Sequence, residues 1–181
     1  MAYLLRALIV IMVMGIFLTV TLALGWWSSS LSHIQLAIPA FIFLMFIQAF
    51  VMFYFIGVAR LVENVWMIIS TQTQLEELFD TPPADLTPYK EQTQKFYFDS
   101  QLSKRQTIPW TILMLILGSI GFLLGGAHDT GLVSKVVHAG VIYGFTVAML
   151  IGFVRQWFYL GKAHRLLREL KTLYSLSDDA M

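Results

Sequence analysis

The sequence predicts an all-α integral membrane protein, a four-transmembrane-helix antiparallel bundle with helical cytoplasmic extensions of helices 2 and 4. Three observations predict it. Charged residues make up 13% of the 181-residue chain, against about a quarter in soluble domains, and mean hydropathy is +0.71. Four apolar stretches, about 4–25, 34–58, 109–125 and 133–154, are each near the ~20 residues that cross a hydrocarbon core. Lysine and arginine sort to one side only if the number of spans is even.

The first stretch, Leu4 to Leu24, is interrupted only by Arg6, Gly15 and two threonines. Ala23-Leu24-Gly25 would also suit a signal-peptide cleavage site, but the stretch is read as a retained first span, with Trp26 and Trp27 as interfacial anchors. A polar link, Ser28 to Ser32, leads to His33 and the second span. Pro39 falls in the first turns of that span, where a proline costs least, and Gln48 is the one strongly polar side chain near its middle, expected to hydrogen-bond to a neighbouring helix. The apolar stripe runs on past Arg60 through Val62, Val65, Trp66, Ile69 and Phe79, so the second helix is expected to project into water on an amphipathic stem. Arg60 and Glu63 are spaced to pair, and with Asn64 and Arg155 they are expected to tie the stems together.

Pro82-Pro83 breaks the pattern. Thr87-Pro88 then reads as an N-cap followed by proline at N1, opening a polar helix over about 89–106 that lies on the membrane surface or packs on the stems. Together these make a helical loop over 60–108. Pro109 and Trp110 open the third span, Asp129-Thr130-Gly131 reads as a turn, and the fourth span begins near Val133. A second amphipathic extension, 155–174, follows it, basic on one face, and an acidic tail begins at Ser175.

The charge distribution sets the expected orientation. Arg6, Arg60, Lys90, Lys95, Lys104, Arg105 and the basic C-terminal stem fall on one side, and Lys135 on the other. The positive-inside rule puts both termini in the cytoplasm, as in a bacterial inner membrane, with the two short links outside.

Composition also limits function. A net charge of +1 with no basic tract interleaved with aromatics argues against nucleic acid as a partner. The absence of cysteine excludes disulfides, thiolate metal sites, iron–sulfur clusters and a cysteine nucleophile. The predicted spans contain no Asp or Glu, which argues against a pump or coupled transporter. No catalytic Ser/His/Asp spacing, phosphate loop or nucleotide fingerprint is present.

The remaining candidate chemistry lies at the outer links. His33, His128 and His138 all fall there, with Asp129 beside His128. Two imidazoles on facing helices, His33 and His138, could hold a haem b iron axially, with Gly140 and Gly144 leaving room for the macrocycle. His33, His128, Asp129 and His138 could instead bind a copper or zinc ion. In the plain alternative there is no cofactor and His138 bonds to a backbone carbonyl. The Gly121/Gly125 and Gly140/Gly144 pairs read first as helix-packing motifs. The expected function is a non-catalytic subunit of a larger membrane complex, with the bilayer and other subunits or copies of itself as partners. The alternatives are a cofactor-free scaffold and a homo-oligomeric channel.

Overall fold

The structure, a computed structural model, describes residues 1–26 and 32–174. Trp27, the body of the first link and the acidic tail lie outside the described residues. Four helices carry the fold: α1 (Ala2–Ala23), α2 (His33–Thr71), α3 (Thr87–Asp129) and α4 (Lys135–Tyr174), with a single 3₁₀ turn at Leu75–Glu77. All four are long and apolar enough to cross a membrane. They form an antiparallel bundle in which α2 packs on α3, α3 on α4, and α1 on α2 and α4.

Length separates α1 from the rest. At 1.5 Å per residue its 22 residues span ~33 Å, about one bilayer core, whereas α2, α3 and α4 (39, 43 and 40 residues) run ~58–65 Å. The three long helices therefore continue past the N-terminus of α1 as a stem. The opposite end, where α1 turns to α2 and α3 to α4, is the hairpin end.

The helices bury seams at alternating spacings of three and four, as in coiled coils. In α1 the seam is Ala2, Leu5, Ile9, Met12 and Ile16, and in α2 it runs from Leu44 through Gln48, Val51, Phe55, Val58, Val62 and Val65 to Ile69. The α3 seam is small and polar, with Thr93, Ser100, Ser103, Thr107 and Thr111 giving way to Met114, Gly118 and Gly121. Small residues let backbones approach closely. Apart from Thr93, the hydroxyls are satisfied by their own helix: Ser103 donates to Asp99 O (2.8 Å), Thr107 to Ser103 O (2.7 Å) and Thr111 to Thr107 O (3.2 Å).

Pro109 does not open a helix. It lies inside α3, which is continuous from the stem into the third span. Pro109 is on the exposed face, while the seam on either side of it, Thr107 and Thr111, is fully buried, so packing carries the helix through the one lost backbone bond. The polar helix expected over 89–106 is thus the stem half of α3, and of its two expected placements it takes the one packed on the neighbouring stems. Thr87 is not the cap either. Leu86 holds that position, and Asp85 Oδ1 accepts the Thr87 backbone N–H at 2.9 Å. That bond holds the Asp85 carboxyl below its usual range.

The stems are joined differently from the expected pairing. Arg60, Glu63 and Asn64 are exposed, because the α2 seam at Ala59 and Val62 turns them outward, and among the described residues they form no ion pair with one another or with Arg155. Lys162 Nζ instead meets Asp99 Oδ1 at 2.8 Å. Arg155 donates to the backbone and side-chain carbonyls of Gln106 and lies over the Trp110 ring. Arg6 caps the α1–α4 contact by donating to Trp157 O (2.8 Å from Nη2) with its guanidinium over the Trp157 ring. Gly161 makes that approach possible, since a Cβ there would collide with the Arg6 guanidinium. At the far end of the stem, Phe79, Tyr89 and Tyr174 form a ring cluster, and the Tyr174 hydroxyl lies 2.5 Å from Thr93 Oγ1.

Gln48 hydrogen-bonds across the bundle, as the sequence leads one to expect. Gln156 Nε2 donates to Gln48 Oε1 (2.7 Å) and to Thr111 Oγ1 (2.9 Å), joining α2, α3 and α4 through three side chains with no exposed surface.

Candidate functional site: the hairpin-end cavity

Both helices that run toward the hairpin end stop at a glycine in the left-handed region. Gly25 has φ +71, with Gly25 N–H on Leu22 O and Trp26 N–H on Thr21 O. Gly131 has φ +76, with Gly131 N–H on His128 O and Leu132 N–H on Ala127 O. Each pair is a Schellman motif, which needs a residue without Cβ strain at that position. The turn read at Asp129-Thr130-Gly131 is therefore present, but backbone amides and the Thr130 hydroxyl close it. Among the described residues the Asp129 carboxylate makes no hydrogen bond.

The first link ends in a capping box. Ser32 Oγ accepts the Gln35 amide, and Gln35 Oε1 accepts the Ser32 amide at 2.9 Å, placing His33 as the first residue of α2. The S-x-x-Q spacing was legible in the sequence, although the segment read only as a polar link.

These terminations leave a cavity of about 380 Å³ in the hairpin half of the bundle, lined by all four helices. Its apolar depth is set by Met12 and Ile16 of α1, Leu44 of α2, Gly118 of α3 and Phe145 of α4. His33, His128, Asp129 and His138 all line it. The four side chains singled out as ligands thus share one cavity. The contacts holding α1 to α4 (Arg6 on Trp157, Tyr3 edge-on to His164 at 4.9 Å) sit at the opposite end of α1.

The histidines are placed by specific neighbours. His128 Nδ1 lies 3.1 Å from Val133 O. A carbonyl only accepts, so Nδ1 carries the proton and neutral His128 has its lone pair on Nε2. The His138 ring packs on Gly125, where an added Cβ would come within 3.3 Å of Cε1. The two rings are nearly parallel (11°), with centroids 5.9 Å apart. His138 Nδ1 is buried and has no hydrogen-bond partner, a state shared among the described residues only by Tyr54 Oη. The plain alternative, a His138 bond to a backbone carbonyl, is not what the structure has. An unsatisfied buried group costs ~1–3 kcal/mol.

The glycines divide unevenly. Gly118, Gly121 and Gly125 are the packing glycines, since a Cβ at Gly121 would strike Ile142 at 2.8 Å and one at Gly118 would meet Leu44 and Phe145. Gly140 and Gly144 are exposed, have no neighbour within 4 Å of an added Cβ, and do not line the cavity. Clearance for a histidine ring therefore comes from α3. Among the described residues no group of three or more His, Asp or Glu is placed to hold a metal ion. The chemistry open to the site is that of one or two imidazoles beside an apolar cavity.

Comparison of the chain with protein-family models, with curated proteins and with solved structures finds no match. The functional argument rests on the site alone.

Proposed function

We propose that this chain is an integral subunit of a larger membrane assembly that holds a small apolar-bodied ligand or cofactor in the hairpin-end cavity, with His138 as the principal polar contact. It lies in a bacterial inner membrane with both termini cytoplasmic, so the cavity opens in the outer leaflet. One observation carries the ligand reading. A buried, unpartnered imidazole nitrogen belongs to a residue lining a cavity whose volume falls within the range of small-molecule sites, ~300–1,000 Å³.

The second reading is a haem b held by two of the three histidines that line the cavity, with electron transfer as the role. Against it, haem would bring two propionates to a cavity that no lysine or arginine lines. The test is a reduced-minus-oxidised visible spectrum of the detergent-purified protein, run with mass spectrometry of bound non-protein molecules, beside His138→Ala. A stoichiometric bound molecule lost in His138→Ala is the expected result. A b-type spectrum lost in the same variant would make haem the occupant. An empty protein that takes up no added ligand would leave a cofactor-free structural subunit.

A further inference from the structure

The polar groups around the cavity offer more acceptors than donors. His128 Nε2 offers a lone pair, because its Nδ1 proton is committed to Val133 O. The Asp129 carboxylate offers acceptor oxygens and has no partner among the described residues. His138, in either tautomer, has one lone pair and one proton, neither used within the described residues. No lysine or arginine lines the cavity, so no permanently charged cation there neutralises a phosphate or carboxylate. His33 lines the cavity as well, an imidazole with one lone pair and one proton, and the rest of the wall is apolar apart from two threonine hydroxyls, Thr19 and Thr146. The Thr19 and Thr146 hydroxyls donate to carbonyls of their own helices, Gly15 O and Ile142 O, and so do not seek the ligand as donors.

Resting on the reading that this cavity is a ligand site, we infer that its occupant is a neutral, lipid-soluble hydroxyl donor of the hydroquinone or long-chain alcohol class. The hydroxyl donates to the imidazole and carboxylate acceptors, and the apolar body lies against Met12, Ile16, Leu44 and Phe145. An acceptor-rich head favours a ligand that donates over one that only accepts, which can meet the imidazole protons of His33 and His138 but leaves the Asp129 carboxylate without a donor. The oxidised quinone of the same skeleton only accepts, because it keeps the shape and loses the donor hydrogens. Phospholipids and fatty acids are disfavoured, because no permanent cation in the cavity compensates their charge. Entry from the bilayer fits a cavity in the half of the molecule where α1 lacks the Arg6 and Tyr3 ties to α4.

The test is thermal unfolding of the full chain in detergent, under anaerobic conditions, with four probes: a short-tailed hydroquinone, its quinone, a long-chain alcohol and haemin. A ligand that binds only the folded state raises the midpoint with its concentration. The hydroquinone is expected to bind about three- to tenfold tighter than its quinone, the worth of one or two hydrogen bonds. That difference is expected to shrink in Asp129→Asn, which trades an acceptor oxygen for a donor. Ala37→Phe, which fills the cavity wall while keeping His128 and His138, is expected to weaken every probe. A response to the alcohol equal to that of the hydroquinone means that a single hydroxyl is read, and a response to the hydroquinone alone means that the ring is read too. Both outcomes support the inference. Equal binding of quinone and hydroquinone overturns the donor inference, as does haemin binding alone, while each leaves the cavity a ligand site. No midpoint shift with any probe, with Ala37→Phe indifferent, removes the ligand site itself.

Discussion

Buried amides at a three-helix junction are the clearest example of how single side chains set this bundle. Gln156 Nε2 serves Gln48 and Thr111 together, in a region with no exposed surface. Removing one partner strands the others in an apolar interior, whereas removing both restores a consistent core. Gln156→Leu is therefore expected to destabilise the folded chain by ~1–3 kcal/mol, and Gln48→Leu with Gln156→Leu to recover most of that loss, as read by denaturant unfolding in micelles. A double variant no better than the single would remove the network from the account of stability. Gln48 stood out in the sequence because its surroundings are uniformly apolar. Gln156 did not, because it lies between Arg155 and Trp157 in a segment that reads as interface. The histidine cluster was legible for the same reason as Gln48, but its clearance glycine was placed on the wrong arm. Glycine spacing is equal on both arms, and only the packing of α3 on α4 shows that Gly125 faces His138 while Gly140 faces outward.

Among the elements, α3 departs furthest from its sequence signals. A Pro-Trp pair after a basic dipeptide looks like the start of a span, yet the α3 seam passes it without a break. The seam takes one step of four between Thr107 and Thr111 where the alternation calls for three, the kind of insertion that locally unwinds a coiled-coil pattern. This step straddles Pro109. The stem ends of α3 and α4 meet at Tyr174, which a sequence pattern cannot assign to a partner 81 residues away. Burial pushes the Tyr174 phenol above its ordinary value, Tyr89 adds to the shift, and the Thr93 hydrogen bond opposes it. A folded-state value above the unfolded one means that the contact's contribution is complete below the ordinary tyrosine value of ~10 and is lost as pH rises through the folded value. The melting midpoint of the full chain is expected to fall more steeply above pH ~10 than that of Tyr174→Phe, which has no proton to lose there. Parallel curves for the two proteins would show that the ring cluster does not hold the stem.

At the scale of the whole molecule, four spans, an antiparallel order and extended second and fourth helices were all readable, because each follows from apolar length and the period of the buried seam. The cavity was not readable. It depends on α1 being tied to α4 at one end only and on the lateral order of four helices, neither of which hydropathy encodes. Orientation follows from charge alone, and the absence of cysteine makes it directly testable. Leu132, 82% exposed in the hairpin-end link, and Gln92, exposed on the stem, mark opposite ends of the bundle. In spheroplasts carrying single replacements, an impermeant maleimide is expected to label Leu132→Cys at once and Gln92→Cys only after lysis. The reverse pattern would place the histidine-lined cavity in the inner leaflet and put the stem outside, against the sorting of Arg60, Lys104, Arg105 and Arg165. Labelling of both without lysis would require an even number of crossings between them, whereas the two residues are joined by the single crossing of α3. That result would take α3 out of the membrane, and with it the bilayer-facing route by which a lipid-soluble ligand reaches His138.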